Sequence, residues 1–197
     1  MRENAFPPSR GTSRILIVPI GGIEEFLVWG IADFVGQYYS SLGLSVKIGD
    51  VIPEEVFSRA YNPLRRQYAG RFFLPVLAEV RKRKNAAAAL GVTRLDLYEE
   101  GLNFIFGLGH AGLRAAIIST FRLRPEFYGE SSDGELLLTR AIKEAMHELG
   151  HVFGLGHCPD ERCVMHFSNS VIDTDIKSPF YCRSCRRKLE KNLGVSS

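Results

Sequence analysis

Hydrophobic and polar residues in the first part of the chain follow patterns that predict strands separated by a helix. Residues 15–18 form a β-branched apolar run that ends at a proline and two glycines, as expected of a buried strand. From about residue 23 to residue 42 apolar side chains recur at helical spacing, and Gly43 follows where a helix often ends. Residues 44–48 alternate apolar and polar positions, which predicts a second strand.

The middle of the chain predicts a second helix followed by short strands. Residues 74–84 place their apolar side chains on one side of a helix, and the alanine-rich run 86–90 has the propensity to prolong it as far as Gly91. The basic run 81–84 is then either a set of cations that complement the helix dipole or a patch for an anionic ligand. Short apolar stretches between glycines predict three further strands, at residues 95–98, 103–106 and 115–120.

This order of elements predicts the fold class. Strand, helix, strand, helix and then several strands indicate an α/β (α+β) domain, whose twisted mixed sheet carries helices on one or both faces. The chain has 197 residues, no internal repeat and no linker-like stretch, so we expect a single domain over residues 1–197. Residues 1–13 are expected to form a loose terminal arm.

Composition limits the classes of partner. Hydrophobic residues make up 45% and charged residues 24% of the chain, as in soluble globular proteins. The net charge of +3 is too small to indicate a nucleic-acid partner. The first apolar run is too short to span a membrane, and the N-terminus lacks the apolar region of a signal peptide. We therefore expect a cytoplasmic monomer with no nucleic-acid or membrane partner.

A long amphipathic helix is predicted to begin near residue 132. Residues 132–135 have the Ser-x-x-Glu form of a capping box, and apolar side chains then recur at three- and four-residue steps as far as Gly154. His147 and His151 lie four residues apart, so their imidazoles project from one face with a rise of about 6 Å between them. One zinc ion can bridge that span. The alternative is a solvated helix face with two surface histidines.

The run HELGHVFGLGH adds a third ligand and a base. Gly154 permits a left-handed turn that brings His157 back under the helix. Three imidazoles leave the fourth zinc position open to water, whose pKa falls towards about 7. Glu148 is placed to take the proton of this zinc-bound water and pass it to the leaving amine. The full run matches the metzincin pattern, which also requires a methionine turn. Met165 is the candidate, although such a residue also fills core gaps.

Four cysteines at the C-terminus predict a second metal site. A four-cysteine set with one CxxC pair suits a closed tetrahedral zinc, which leaves no position for water and is therefore structural. Such an ion would order residues 158–197. Disulfides are the alternative, which a reducing compartment disfavours. We therefore expect two zinc ions per chain. The cysteines are Cys158, Cys163, Cys182 and Cys185.

These motifs resemble those of the archaemetzincin family of metallopeptidases. The run HELGHVFGLGHC is followed by CVMHF at residues 163–167 and CRSC at 182–185, and residues 91–107 and 121–125 also contain similar stretches. The resemblance implies one compact metzincin-like domain that hydrolyses peptides or proteins. It also implies that residues 103–109 form the edge strand of the cleft, to which an extended peptide can pair, rather than an interior strand. The residues that it assigns are His147, His151 and His157 on the catalytic zinc, Glu148 as base, Met165 in the turn and the four cysteines on the second zinc.

The sequence also admits one competing function and contains two further histidines. The competitor is a zinc-stabilised binding or adaptor protein without catalytic turnover, whose basic tail contacts an anionic partner. Glu148 favours hydrolysis, because a scaffold needs no carboxylate at that position. His110 and His166 are expected to make local hydrogen bonds, since the zinc shell is complete without them. The tail residues are Arg183, Arg186, Arg187, Lys188 and Lys191.

Overall fold

The computed structural model describes residues 13–195, and its strands form two sheets. The strands are β1 (Arg14–Ile20), β2 (Ser45–Ile48), β3 (Tyr61–Asn62), β4 (Gln67–Ala69), β5 (Ala88–Thr93), β6 (Leu97–Tyr98), β7 (Gly107–His110) and β8 (Ala115–Ser119). Five of them make a mixed sheet in the order β2-β1-β5-β8-β7, and β3-β4-β6 make a small second sheet. Apart from Ser13, the predicted arm lies outside the described residues.

Helices cover both faces of the larger sheet. The α-helices are α1 (Glu25–Ser40), α2 (Phe73–Arg83), α3 (Gly134–Val152), α4 (Val171–Ile176) and α5 (Arg183–Leu193), and the short 3-10 helices are Glu54–Ala60, Gly70–Phe72, Phe121–Leu123 and Pro125–Tyr128. One core cluster joins α1 and α3 to the sheet, and a second joins α2 to the opposite face. The central strands are buried on both faces, so their sequences are almost wholly apolar.

The larger sheet is parallel except at one edge. β1 pairs in parallel with β2 and β5, and β5 pairs in parallel with β8. β7 is antiparallel to β8 and forms the edge. This arrangement confirms the predicted mixed sheet with helices on its faces. Within residues 13–195, none of the helices is long and apolar enough to cross a membrane.

The predicted extension of the second helix through the alanine-rich run 86–90 is wrong. α2 ends at Arg83, and Asn85 adopts a left-handed conformation (φ 47°) that breaks the helix. Ala88 and Ala89 instead begin β5 in the centre of the sheet, and the two alanines before them are buried ahead of the strand. Their small side chains fit there because helices pack on both faces. A Cβ at Gly91 in the same strand would lie within 3.0 Å of three neighbouring side chains.

Two further boundaries differ from the prediction. The predicted strand at 103–106 lies just ahead of the observed edge strand β7, whose sequence GLGH carries little strand propensity. The N-cap of α3 is Asp133, whose carboxylate accepts the Leu136 N–H at 2.9 Å. A capping box that begins at Ser132 is therefore not formed, because the helix begins one residue later. The predicted strands at 95–98 and 115–120 correspond to β6 and β8.

Candidate metal centres

Helix α3 and the turn after it bring three histidines together. Gly154 adopts a left-handed conformation (φ 85°), which turns the chain so that His157 returns towards the helix. The Nε2 atoms of His147 and His151 are 3.0 Å apart, and one ring nitrogen from each of the three histidines lies within 4.8 Å of the others. Tetrahedral zinc with nitrogen ligands needs separations of about 3.3 Å. The three predicted ligands therefore converge with a spacing that fits this ion.

Backbone carbonyls fix the orientation of two of these imidazoles. His147 Nδ1 donates to the Val164 carbonyl at 2.7 Å, and His151 Nδ1 donates to the Leu155 carbonyl at 2.9 Å. Because a carbonyl can only accept, Nδ1 carries the proton in each ring and Nε2 is left with its lone pair towards the shared centre. The orientation of these two rings therefore favours binding of a cation at the shared centre.

The histidine cluster is held in its neutral form. Burial lowers the pKa of His147 well below its ordinary value, and the nearby Lys177 charge lowers it further. Burial likewise lowers the pKa of His151 and of His157. Metal binding requires the deprotonated ring, so these shifts favour a metal over a proton.

Acid is therefore expected to destabilise the metal-free protein through these histidines. Their pKa values are lower in the folded than in the unfolded chain, so below about pH 6.5 the unfolded chain binds more protons. The free energy of unfolding should be flat above about pH 7.5 and fall as the pH drops. Chelator-treated protein can be unfolded in denaturant at a series of pH values.

The control for this experiment removes the titration of Glu148, which changes the free energy of unfolding in the opposite direction. Burial raises the pKa of Glu148, which alone would make the folded state less stable as the pH rises. The pH series is therefore measured in a Glu148→Gln background, with and without His147→Gln. A profile between pH 7.5 and 5 that His147→Gln leaves unchanged would contradict the prediction.

Glu148 lies beside the histidines, between α3 and the edge strand. Its side chain is buried, and burial raises the pKa of the Glu148 carboxyl well above its usual range. Glu144, one helical turn earlier, raises this pKa further, whereas Lys177 and the Gly109 backbone amide lower it. A carboxyl whose pKa is raised by burial in a cleft is a candidate proton-transfer group.

Two glycines of β7 allow the edge strand to approach this carboxylate. A Cβ on Gly107 would lie 2.6 Å from Glu148 Cγ, and a Cβ on Gly109 would lie 2.6 Å from the Glu148 carbonyl oxygen and 2.9 Å from His151 Cβ. Real Cβ atoms do not approach other atoms so closely. The two glycines of GLGH are therefore required for β7 to pack this closely against the site.

At the edge of the sheet, the same strand presents backbone groups that make no hydrogen bond to β8. The Ser119 N–H donates to the Phe106 carbonyl at 2.7 Å, so Phe106 faces β8. Because successive residues of an antiparallel strand alternate in direction, the polar groups of Gly107 and Gly109 point away from β8. The predicted edge strand is thus present, although shifted towards the C-terminus within residues 103–109.

Substituting Gly109 by alanine is expected to disturb α3 at the candidate site. The new methyl group would force β7 and α3 apart at Glu148 and His151, so we expect the peptide hydrolysis that the sequence predicts to fall by about tenfold or more and zinc to bind more weakly at the histidines. Gly156→Ala is the matched control within the histidine motif, because nothing lies within 4 Å of a Cβ at that position. Cleavage rates and zinc affinity measured in both variants decide the matter. Equal effects would contradict the packing argument.

Met165 packs against α3 next to the histidines. It is fully buried, and a Cβ at Gly150 would collide with the Met165 sulfur. The Cys158 N–H donates to the Met165 carbonyl at 2.9 Å, which ties the turn to the segment that carries the third histidine. Sequence reasoning did not identify Gly150, because the histidine motif leaves its position free. Only the contact with the methionine turn reveals its role.

The four cysteines also converge. Their sulfurs lie within 4.8 Å of one another, the Sγ atoms of Cys158 and Cys182 are 3.9 Å apart, and all four residues are free thiols. Sulfur ligands around tetrahedral zinc are about 3.8 Å apart, whereas a disulfide needs about 2.05 Å. Burial raises the pKa of Cys163, so a bound cation is required to keep it a thiolate. The arrangement fits a closed metal site.

The remaining predicted features have local partners. His110 Nδ1 accepts the Leu113 N–H at 3.1 Å, and His166 Nδ1 donates to the Cys158 carbonyl at 3.0 Å. Neither joins a metal-binding group among the described residues. In the basic run, Arg83 pairs with Glu79 and Lys84 pairs with Asp50. These pairs favour the structural interpretation of the run over an anionic-ligand patch.

A cavity of about 350 Å³ opens beside His147 and Glu148. Three phenylalanine side chains line part of it, and β7 forms one wall. The residues that follow the methionine turn line it as well. The cavity therefore offers space for a ligand directly next to the histidines. Its aromatic residues are Phe104, Phe106 and Phe167.

Comparisons with known proteins agree with this geometry. Residues 12–191 match peptidase family M54. The archaemetzincin of Thermococcus kodakarensis is 59% identical over 181 residues, which cover 92% of this chain and 97% of that protein. The crystal structure of the Methanopyrus kandleri archaemetzincin superposes with a TM-score of 0.77 at 38% identity, covering 94% of this chain and 98% of that one. A zinc-dependent peptidase from Methanocorpusculum labreanum gives a TM-score of 0.76 at 28% identity, with coverages of 89% and 99%. The chain therefore belongs to peptidase family M54, the archaemetzincins, and is a zinc metallopeptidase.

Proposed function

We propose that this metallopeptidase cleaves peptide bonds at a zinc ion held by His147, His151 and His157, with Glu148 as general base. The observation that carries the proposal is the convergence of the three ring nitrogens beside the buried Glu148 carboxyl. When bound there, a zinc ion would polarise the scissile carbonyl and activate a water molecule for attack.

Glu148 moves the proton in this proposal. It adjoins the first ligand along the chain, and its side chain is not needed to hold the metal. As the carboxylate, it accepts a proton from the attacking water, and as the acid it delivers that proton to the departing amine. The raised pKa of Glu148 supports the second role, because burial favours the protonated form of the carboxyl, which is the form that donates.

The edge strand positions the substrate. An extended peptide is proposed to pair with the outward-facing backbone groups of Gly107 and with the Gly109 carbonyl, which would place it alongside Glu148. Both glycines also keep the strand close to the helix that carries this base. Substrate alignment and base placement therefore depend on the same short segment.

The four cysteines are proposed to hold a second, structural zinc, giving two zinc ions per chain. Four thiolates leave no position for water, so this ion cannot activate a nucleophile. Its role is to order residues 158–197, and through the Cys158 contact with Met165 it supports the histidine site. A single domain over residues 1–197, acting as a cytoplasmic monomer, remains our expectation. The free thiols suit a reducing compartment.

A mixed peptide library tests the proposed activity. The zinc-loaded protein is incubated with the library at several pH values, and new termini are identified by mass spectrometry. We expect cleavage that a chelator abolishes and added zinc restores. Salt-dependent retention on heparin, without any cleavage of the library, would instead favour a zinc-stabilised adaptor.

A further inference from the structure

A buried ion pair lies one helical turn from Glu148. Glu144 on α3 is 3% exposed and Lys177, directly after α4, is 1% exposed. The Lys177 Nζ lies 2.9 Å from Glu144 Oε1 but makes no well-aligned hydrogen bond to any described residue. Burying two charges costs several kcal/mol per ion unless good geometry compensates it. Burying this pair therefore costs free energy of folding, although the pair takes no part in holding the proposed metal.

Only one oxygen of the Glu144 carboxylate is engaged. The Thr174 hydroxyl donates to Oε1 at 3.0 Å, and Lys177 approaches the same oxygen. No hydrogen bond from a described residue reaches Oε2. Glu144 lines the cavity beside the histidines, so Oε2 is available as an acceptor to a ligand there.

A second polar group of the cavity is also unsatisfied. Ser168 lines the same cavity, and its hydroxyl is buried with no hydrogen-bond partner among the described residues. Buried polar groups without partners are rare in folded proteins and point to a missing ligand or water. An acceptor and a hydroxyl therefore both lack partners in a cavity whose lining also includes three phenylalanines and three aliphatic side chains.

The charges immediately around Glu144 disfavour a cationic ligand group at this end of the cavity. Lys177 already neutralises Glu144, and the neighbouring Arg140 pairs with Asp175 at 2.7 Å. Lys143 adds a further positive charge and donates to two backbone carbonyls of α4. A lysine or arginine side chain that reached Glu144 would therefore meet no surplus negative charge there. An uncharged donor meets the free oxygen without this penalty.

We propose that Glu144, held by Lys177, is a specificity-determining residue that selects a substrate with tyrosine next to the scissile bond. The inference rests on the proposed function. The phenol hydroxyl donates to Glu144 Oε2 and accepts from the Ser168 hydroxyl, while its ring packs on aromatic walls. Glu144 lies about 6 Å along the helix from Glu148, so only a long side chain reaches it. Phenylalanine has the ring but leaves both polar groups unpaired.

Matched zinc-binding ligands test this selection without relying on turnover. Peptide hydroxamates are prepared with tyrosine or phenylalanine on either side of the zinc-binding group, and binding to the zinc-loaded protein is measured by calorimetry. A buried acceptor left unpaired costs about 1–3 kcal/mol, so the tyrosine compound should bind about 5- to 150-fold more tightly in one of the two arrangements. Equal affinities in both arrangements, or no binding at all, would overturn the proposal.

Variants assign the preference to Glu144. The double substitution Glu144→Leu with Lys177→Met removes both charges together and should abolish the preference for tyrosine. Ser168→Ala, a milder change, should reduce it several-fold. Glu99→Gln is the control, because Glu99 lines the same cavity but pairs with Arg71, and it should keep the preference. Zinc content and thermal unfolding are checked in every variant.

The outcomes separate this proposal from the proposed activity. A tyrosine preference that persists in the folded double variant would overturn the role of Glu144. If the double variant does not fold, an unchanged preference in Ser168→Ala would count against the arrangement. Tight, tyrosine-selective binding without cleavage of any peptide would refute the proposed activity and leave the selective site in place.

Discussion

Replacing Glu148 by alanine is expected to slow peptide hydrolysis by about 10²–10⁴-fold, the range for loss of a positioned general base. The variant should keep its fold and its zinc, because the carboxylate is not among the three converging ring nitrogens. Cleavage of a peptide that the wild type hydrolyses is measured alongside zinc content. The variant should therefore retain metal binding while it loses most of its turnover.

His151→Ala is the contrasting variant. It removes one of the three ring nitrogens, so zinc at the histidine site and hydrolysis should be lost together. Glu148→Gln keeps the shape of the side chain and controls for packing against β7. Turnover in Glu148→Ala that matches the wild type would refute the assigned role of this carboxyl.

Replacing Cys185 by serine is expected to unfold or loosen the C-terminal segment. Cys185 is buried at the start of α5, and its sulfur belongs to the four-sulfur cluster. Structural zinc contributes about 10–16 kcal/mol to the folding of zinc-finger peptides, so losing one thiolate should lower the free energy of unfolding by more than about 3 kcal/mol. Hydrolysis should fall as well, because the same segment supports Met165. Thermal unfolding and zinc content measure both effects.

Ser184→Ala is the matched control for this substitution. Ser184 is exposed in the same helical turn, so its loss should leave zinc content and stability unchanged. A Cys185→Ser variant with wild-type stability that still carries two zinc ions would contradict the structural role of the cysteine cluster.

The candidate site could be predicted from the sequence because its signals are local. The spacing of His147 and His151 follows directly from the pitch of a helix, and Gly154 marks the turn that returns His157. The cysteine spacing indicates a closed metal site in the same way. These geometries depend on few residues, so neighbouring elements do not change them.

Other features depend on contacts between distant segments. The run 86–90 has helical propensity, yet the sheet between two helical layers makes it a central strand. The Glu144–Lys177 pair joins residues 33 positions apart, and no spacing rule predicts it. In the sequence, Gly107 and Gly109 have the character of loop residues between short strands. That glycine is required at both positions follows only from the close approach of Glu148 to β7.

Partial removal of zinc separates the proposed roles of the two candidate metal sites. A chelator is titrated into the zinc-loaded protein while zinc content, peptide cleavage and far-UV circular dichroism are followed together. We expect cleavage to disappear with release of the first ion, from the open histidine site, while the fold persists with the cysteine-bound ion in place. Cleavage that survives release of the first ion and ends only when the protein unfolds would contradict this expectation.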